Sequence, residues 1–93
     1  MTDIVVQQMP AFKRMYKKLH SQAQAVVDEA IRAIIQDPEL GEEKKGALAG
    51  IFVYKFKIHH QEMLLAYEWD LKARLLLALG VHENFYRNLK NQL

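Results

Sequence analysis

The sequence predicts an α+β domain: an antiparallel β-sheet packed by an N-terminal helical hairpin and a C-terminal helix, in the order β-α-α-β-β-β-α. Three observations predict it. Apolar residues recur at helical spacing from Phe12 to Ile34 and again from Phe85 onward. Between Ile51 and Leu79 come three β-like runs, two alternating and the third almost wholly apolar, separated by turn-forming residues. The helices and the strands occupy separate stretches of chain, which points to helices laid on one face of an antiparallel sheet. With 93 residues, 51% of them hydrophobic, the chain can build one core, so residues 1–93 are read as a single domain.

Each element has its own signal. "DIVVQQ" at 3–8 holds three β-favouring apolar residues and is predicted to be a short strand. Pro10 suits the first turn of a helix, where its missing N–H costs nothing. Phe12, Met15, Tyr16 and Leu19 then form one apolar stripe, with Lys13, Arg14, Lys17 and Lys18 on a basic face. Ser21 is a candidate cap for a second helix whose stripe is Val26, Val27, Ala30, Ile31 and Ile34. "DP" at 37–38 ends it, because proline disfavours helix at the residue before it. Only His20 and Ser21 separate the two helices, so a tight hairpin is expected. Residues 39–50 hold three of the four glycines in a mixed charge run and read as a loop.

Of the strands, "IFVYKFKI" sets Phe52, Tyr54, Phe56 and Ile58 against Val53, Lys55 and Lys57. "EMLLAYEWD" sets Met63, Leu65, Tyr67 and Trp69 against Leu64, Ala66 and Glu68. "RLLLALG" is almost wholly apolar, as expected of a strand buried on both faces. "HHQ" and "DLKA" are the expected hairpin turns. The tail "ENFYRNLKNQL" places Phe85, Leu89 and Leu93 at helical spacing.

Composition excludes several classes of protein. Without cysteine there is neither a disulfide framework nor a thiolate metal site, which fits a reducing cytoplasm. The start lacks a signal-peptide pattern, and no apolar run approaches the roughly 20 residues of a membrane helix. The net charge is only +2, so any contact with phosphates must come from the local clusters "FKRMYKK", "EKK" and "YKFK".

The segment "DPELGEEKKGALAGIFVYKFK", the run "LLAYEW" and the ending "LLALGVHENFYRNLK" resemble the RelE/ParE superfamily, the toxins of bacterial type II toxin–antitoxin modules. The resemblance covers nearly the whole chain. It implies a cytoplasmic toxin held inactive by a cognate antitoxin, with operator DNA bound only through the antitoxin complex, no membrane and no cofactor. RelE-like members cleave mRNA on the ribosome without a metal, whereas ParE-like members share the fold and poison DNA gyrase. The expected function is that of a RelE-like ribosome-dependent mRNA endonuclease, the alternative a ParE-like gyrase inhibitor that acts by binding alone. A third possibility is an antitoxin-binding relative without activity.

RNA cleavage through the ribose 2′-OH needs a base, an acid and cations for the charge that develops. Lys55 and Lys57 share one face of their strand, and by resemblance "YKFK" matches the paired lysines of RelE-like nucleases. Read without the resemblance, they are ordinary solvated lysines. His82 follows a strand end, titrates near neutrality and falls near a catalytic arginine or histidine of the superfamily; a backbone-bonded histidine at a helix start is the bland reading. Tyr86 matches a tyrosine that stacks on the cleaved nucleotide in RelE-like toxins, or else packs beside Phe85. Arg74 and Arg87 are candidate substrate contacts, their plainer roles being partners of Asp70 and Glu83. Leu64 occupies the position where RelE-like nucleases carry a middle-strand arginine. His59 and His60 sit in a turn without further ligands at metal-binding spacing.

Overall fold

The computed structural model describes residues 3–92. Strand β1 (Val5–Gln8) leads into helices α1 (Pro10–Lys17) and α2 (Ser21–Gln36). A two-residue strand β2 (Glu42–Glu43) follows, then β3 (Phe52–Ile58), β4 (Gln61–Trp69), β5 (Ala73–Val81) and helix α3 (Phe85–Gln92). The five strands form one sheet in the order β1-β5-β4-β3-β2. β1 runs parallel to β5, and every other pair is antiparallel. The parallel pair follows from the hairpin, which carries the chain from one end of β1 across the sheet before the meander begins.

Pro10 opens α1 as expected, but Ser21 is not the cap of α2. His20 takes the extended N-cap position and makes no side-chain cap bond, so Ser21 is already the first helical residue. The hairpin is closed by side chains. The Tyr16 hydroxyl donates to Asp28 Oδ1 at 2.8 Å, and Gln24 Nε2 donates to the Tyr16 carbonyl at 2.9 Å. Residues 39–50 are more ordered than a loop. Two short 3₁₀ turns flank β2, and the first rests on the buried Tyr67 side chain. The Tyr67 hydroxyl donates to the Pro38 carbonyl at 2.6 Å and accepts from Gly41 N–H at 3.0 Å. Only glycine permits that approach, since a Cβ at position 41 would stand 2.6 Å from the Tyr67 oxygen.

The helices do not share one face. The hairpin covers the face formed by Phe52, Tyr54, Phe56, Ile58, Met63, Leu65, Tyr67, Leu76 and Leu79, together with Phe12, Val27, Ala30 and Ile34 of the helices. α3 covers the other face, where Phe85 and Leu89 pack on Val53, Leu64, Ala66, Leu77 and Ala78. The period-two pattern assigns β3 and β4 to these faces residue by residue. It fails in β5, because a bulge intervenes. Ala66 pairs with Ala78 while Tyr67 pairs with Leu76, so Leu77 is the extra residue. Leu77 and Ala78 consequently pack on the same face. Before the bulge the even-numbered side chains of β5 meet the hairpin; after it they meet α3.

A basic cluster on the α3 face

Lys55 and Lys57 stand on the α3 face of β3, both exposed. Lys55 begins a cross-strand row that runs through Leu64 to Gly80. Lys57 pairs with Glu62, and His82 follows Val81, the last paired residue of β5. Gly80 matters locally: an added Cβ would be 3.4 Å from the Phe85 ring, so its bare backbone is the seat of α3.

His82, Glu83 and Asn84 turn the chain back over the sheet, with Asn84 in the left-handed region at φ 62°. α3 therefore starts at Phe85, two residues later than the tail pattern suggested, and Glu83 stays outside it. No ion pair joins Glu83 to Arg87 among the described residues. Leu93, the third residue of the expected stripe, lies outside the described residues. The turn brings His82 edge-on to Tyr86, ring centres 5.6 Å apart, and Tyr86 meets Phe85 edge-on at 5.4 Å. Tyr86 is half-buried: it packs beside the core and keeps an exposed portion. Arg87 is exposed on α3.

Two residues not singled out by the sequence complete the cluster. Lys44, just past β2, sets its ammonium 5.0 Å from the centre of the Tyr86 ring. The same ammonium donates to Glu42 Oε1 at 2.7 Å. The Glu42 carboxylate raises the Lys44 ammonium above its ordinary range, with the Tyr86 phenol adding to the effect. Glu42 in turn is held below the usual carboxylate range, first by its hydrogen bond from Lys44 and further by the charge of Lys55. "EKK" already marked this stretch as basic, but only the pairing of Glu42 with Val53 across β2 and β3 reveals that it borders Lys55.

Arg74 is a correction. It precedes the bulge, lies on the hairpin face and is 4% exposed. Its Nε donates to Ile34 O and its Nη2 to Ile35 O, both at 2.8 Å, while Nη1 donates to Asp70 O and Ala73 O at 2.8 and 2.9 Å. The guanidinium satisfies the last carbonyls of α2 and lies over the Trp69 ring; with four of its five N–H donors spent on backbone carbonyls and the side chain buried, it is not placed to meet a phosphate. It meets the backbone of Asp70, not the carboxylate, which instead accepts from Lys72 N–H at 2.7 Å in the turn.

Lys44, Lys55, Lys57, His82 and Tyr86 are thus carried on or beside the α3 face, with Leu64 and Phe85 buried under it. Such a surface can hold a phosphodiester by charge and offer an aromatic ring to a base.

The chain matches the family described as ParE-like toxin of type II bacterial toxin–antitoxin system over residues 6–90. It belongs to that family and is a type II toxin. No curated protein matches it closely enough in sequence to count as a relative. Among solved structures, it is similar to one of the RelBE2 toxin–antitoxin complex of Mycobacterium tuberculosis, with a TM-score of 0.72 and 21% identity over 87% of this chain and 100% of that one. It is similar also to a mutant of Escherichia coli toxin RelE in the free state, with a TM-score of 0.73 and 16% identity over 99% of both chains. A chain of the YoeB–YefM complex from Staphylococcus aureus gives a TM-score of 0.65 and 19% identity over 87% of this chain and 99% of that one. At these identities the likeness establishes the shared fold.

Proposed function

We propose that this toxin is a RelE-like endonuclease that cleaves mRNA on the ribosome, using the α3-face cluster. Two observations support the proposal: Lys55 and Lys57 extend from the α3 side of β3, and His82 meets Tyr86 edge-on at the start of α3. The ribose 2′-oxygen attacks the adjacent phosphorus, the P–O5′ bond breaks, and a 2′,3′-cyclic phosphate and a 5′-hydroxyl result. His82 is the group suited to move a proton at neutral pH. Lys55 and Lys57 stabilise the charge that builds on the phosphoryl oxygens. Tyr86 offers its exposed edge to the base, and Arg87 extends the cationic border. All of this chemistry is within reach of side chains alone.

A second reading, a gyrase poison, is favoured by the fully buried Leu64 where a cation would serve a nuclease, and by the ParE-like description of the family. Under it the cluster is a binding surface.

The partner in both cases is a cognate antitoxin in the cytoplasm, itself the carrier of any operator binding. An open rim suits it. β1 ends at Gln8, so β5 from Leu77 onward has no strand on its outer side among the described residues. That edge floors a groove of about 440 Å³ between α1 and α3, with Arg14 and Lys18 on one wall. A strand or helix of the antitoxin would lie there.

Purified toxin added to ribosomes on a defined mRNA, read by primer extension beside a gyrase assay, separates the readings. Cuts within the translated region that vanish in His82→Ala support the nuclease. Intact transcripts together with trapped gyrase–DNA complexes would overturn it.

A further inference from the structure

Resting on the nuclease reading, we propose that Lys44 is a phosphate-binding residue of the site and that Glu42 is its stand-in ligand, displaced when a phosphodiester of single-stranded RNA arrives. An ordinary surface lysine is exposed and unconstrained. Lys44 is neither: its side chain is 19% exposed, whereas that of Glu42 is 69% exposed. The lysine is fixed from below, its backbone N–H donating to the Ile51 carbonyl at 2.9 Å next to the β2–β3 ladder. The ammonium is thus delivered to one place, over the Tyr86 ring, while its carboxylate partner sits outermost.

The arrangement meets a need of the site. Leu64 supplies no charge between Lys55 and Gly80. A nucleotide that packs against Tyr86 has its phosphate within reach of the ammonium that already lies 5.0 Å from the ring centre. The Glu42 carboxylate sits 2.7 Å from the Lys44 ammonium and is lowered further by the charge of Lys55, so it marks a position that favours an anion. An anionic phosphate satisfies the same two cations and adds acceptor oxygens. The carboxylate keeps the ammonium oriented while the site is empty and competes with the incoming phosphate.

The signs of two substitutions test this. Binding of a single-stranded hexaribonucleotide, made uncleavable by 2′-O-methyl groups, is followed by NMR at several salt concentrations. Lys44→Met keeps the aliphatic stem and removes the charge; it is expected to lower the slope of log affinity against log salt by about 0.7, the loss of one phosphate contact. Lys44→Arg is expected to restore it. Glu42→Gln is expected to tighten binding several-fold, and Glu43→Gln, the same charge change without contact to Lys44, to leave affinity where it was. The α3 amide shifts report that each variant is folded. If the Glu42–Lys44 pair merely props the loop, Glu42→Gln weakens binding or leaves it unchanged and Lys44→Met does not alter the slope; with Lys55→Met still lowering the slope, that result overturns this inference alone. Should Lys55→Met and Tyr86→Ala also have no effect, or the wild-type toxin not bind, the RNA reading itself fails.

Discussion

The two faces of the sheet are built to different standards. Under the hairpin, five strand aromatics and a 16-residue helix enclose a core in which Arg74 is committed to the backbone at the end of α2 and Tyr67 to that of Pro38 and Gly41. Under α3, an eight-residue helix is anchored chiefly by Phe85 and Leu89, with Tyr86 half-buried beside them, and the ion pair nearest to it among the described residues is Lys44–Glu42. A helix this short is marginal by itself, so its tertiary anchors decide whether it forms. One face supplies the stability that lets the other carry unpaired cations.

Matched truncations of two fully buried leucines probe that contrast most strongly. Leu65→Ala, on the hairpin face, is expected to cost about 3 kcal/mol of global stability in urea unfolding. Leu89→Ala, on the α3 face, is expected to release α3 chiefly, seen as faster amide exchange in 85–92 with β4 still protected. Equal global losses would erase the distinction. Arg74→Met comes next: four carbonyls lose their donor, for a loss of about 3 kcal/mol, with cleavage by the folded fraction unchanged.

Tyr67→Phe sharpens the comparison through pH. It removes the hydroxyl that joins Pro38 and Gly41, at about 1–2 kcal/mol. Burial also pushes the Tyr67 phenol above its ordinary value. A proton held more tightly by the folded chain stabilises it at every pH below the unfolded value of about 10, and that contribution is lost as pH climbs through the folded value. The wild-type protein should therefore lose stability in alkali more steeply than Tyr67→Phe. The smallest effect belongs to the β3–β4 turn, where His59 and His60 both hold positive φ, 49° and 71°. His60→Gly relieves a strained position and is expected to raise stability by at most about 1 kcal/mol, as a small increase in Tm.

Most of the fold was legible because β3 and β4 alternate cleanly, and the aromatic residues of the hairpin face could be read off as a set. β5 was not, since five consecutive apolar residues hide the bulge at Leu77. That one slip of register puts Arg74 on the hairpin face and Gly80 on the other, which is why the arginine looked available and is not. Lys55, Lys57, His82 and Tyr86 became candidates by resemblance. The Lys44–Glu42 pair was not legible, because it depends on a two-residue strand too short to leave a pattern.

The most direct test is single-turnover cleavage of ribosome-bound mRNA by Lys55→Ala, with its unfolding midpoint measured alongside. The account predicts a rate at least about 100-fold below wild type at unchanged stability. Cleavage at the wild-type rate by this variant would contradict the assignment of the chemistry to the α3 face.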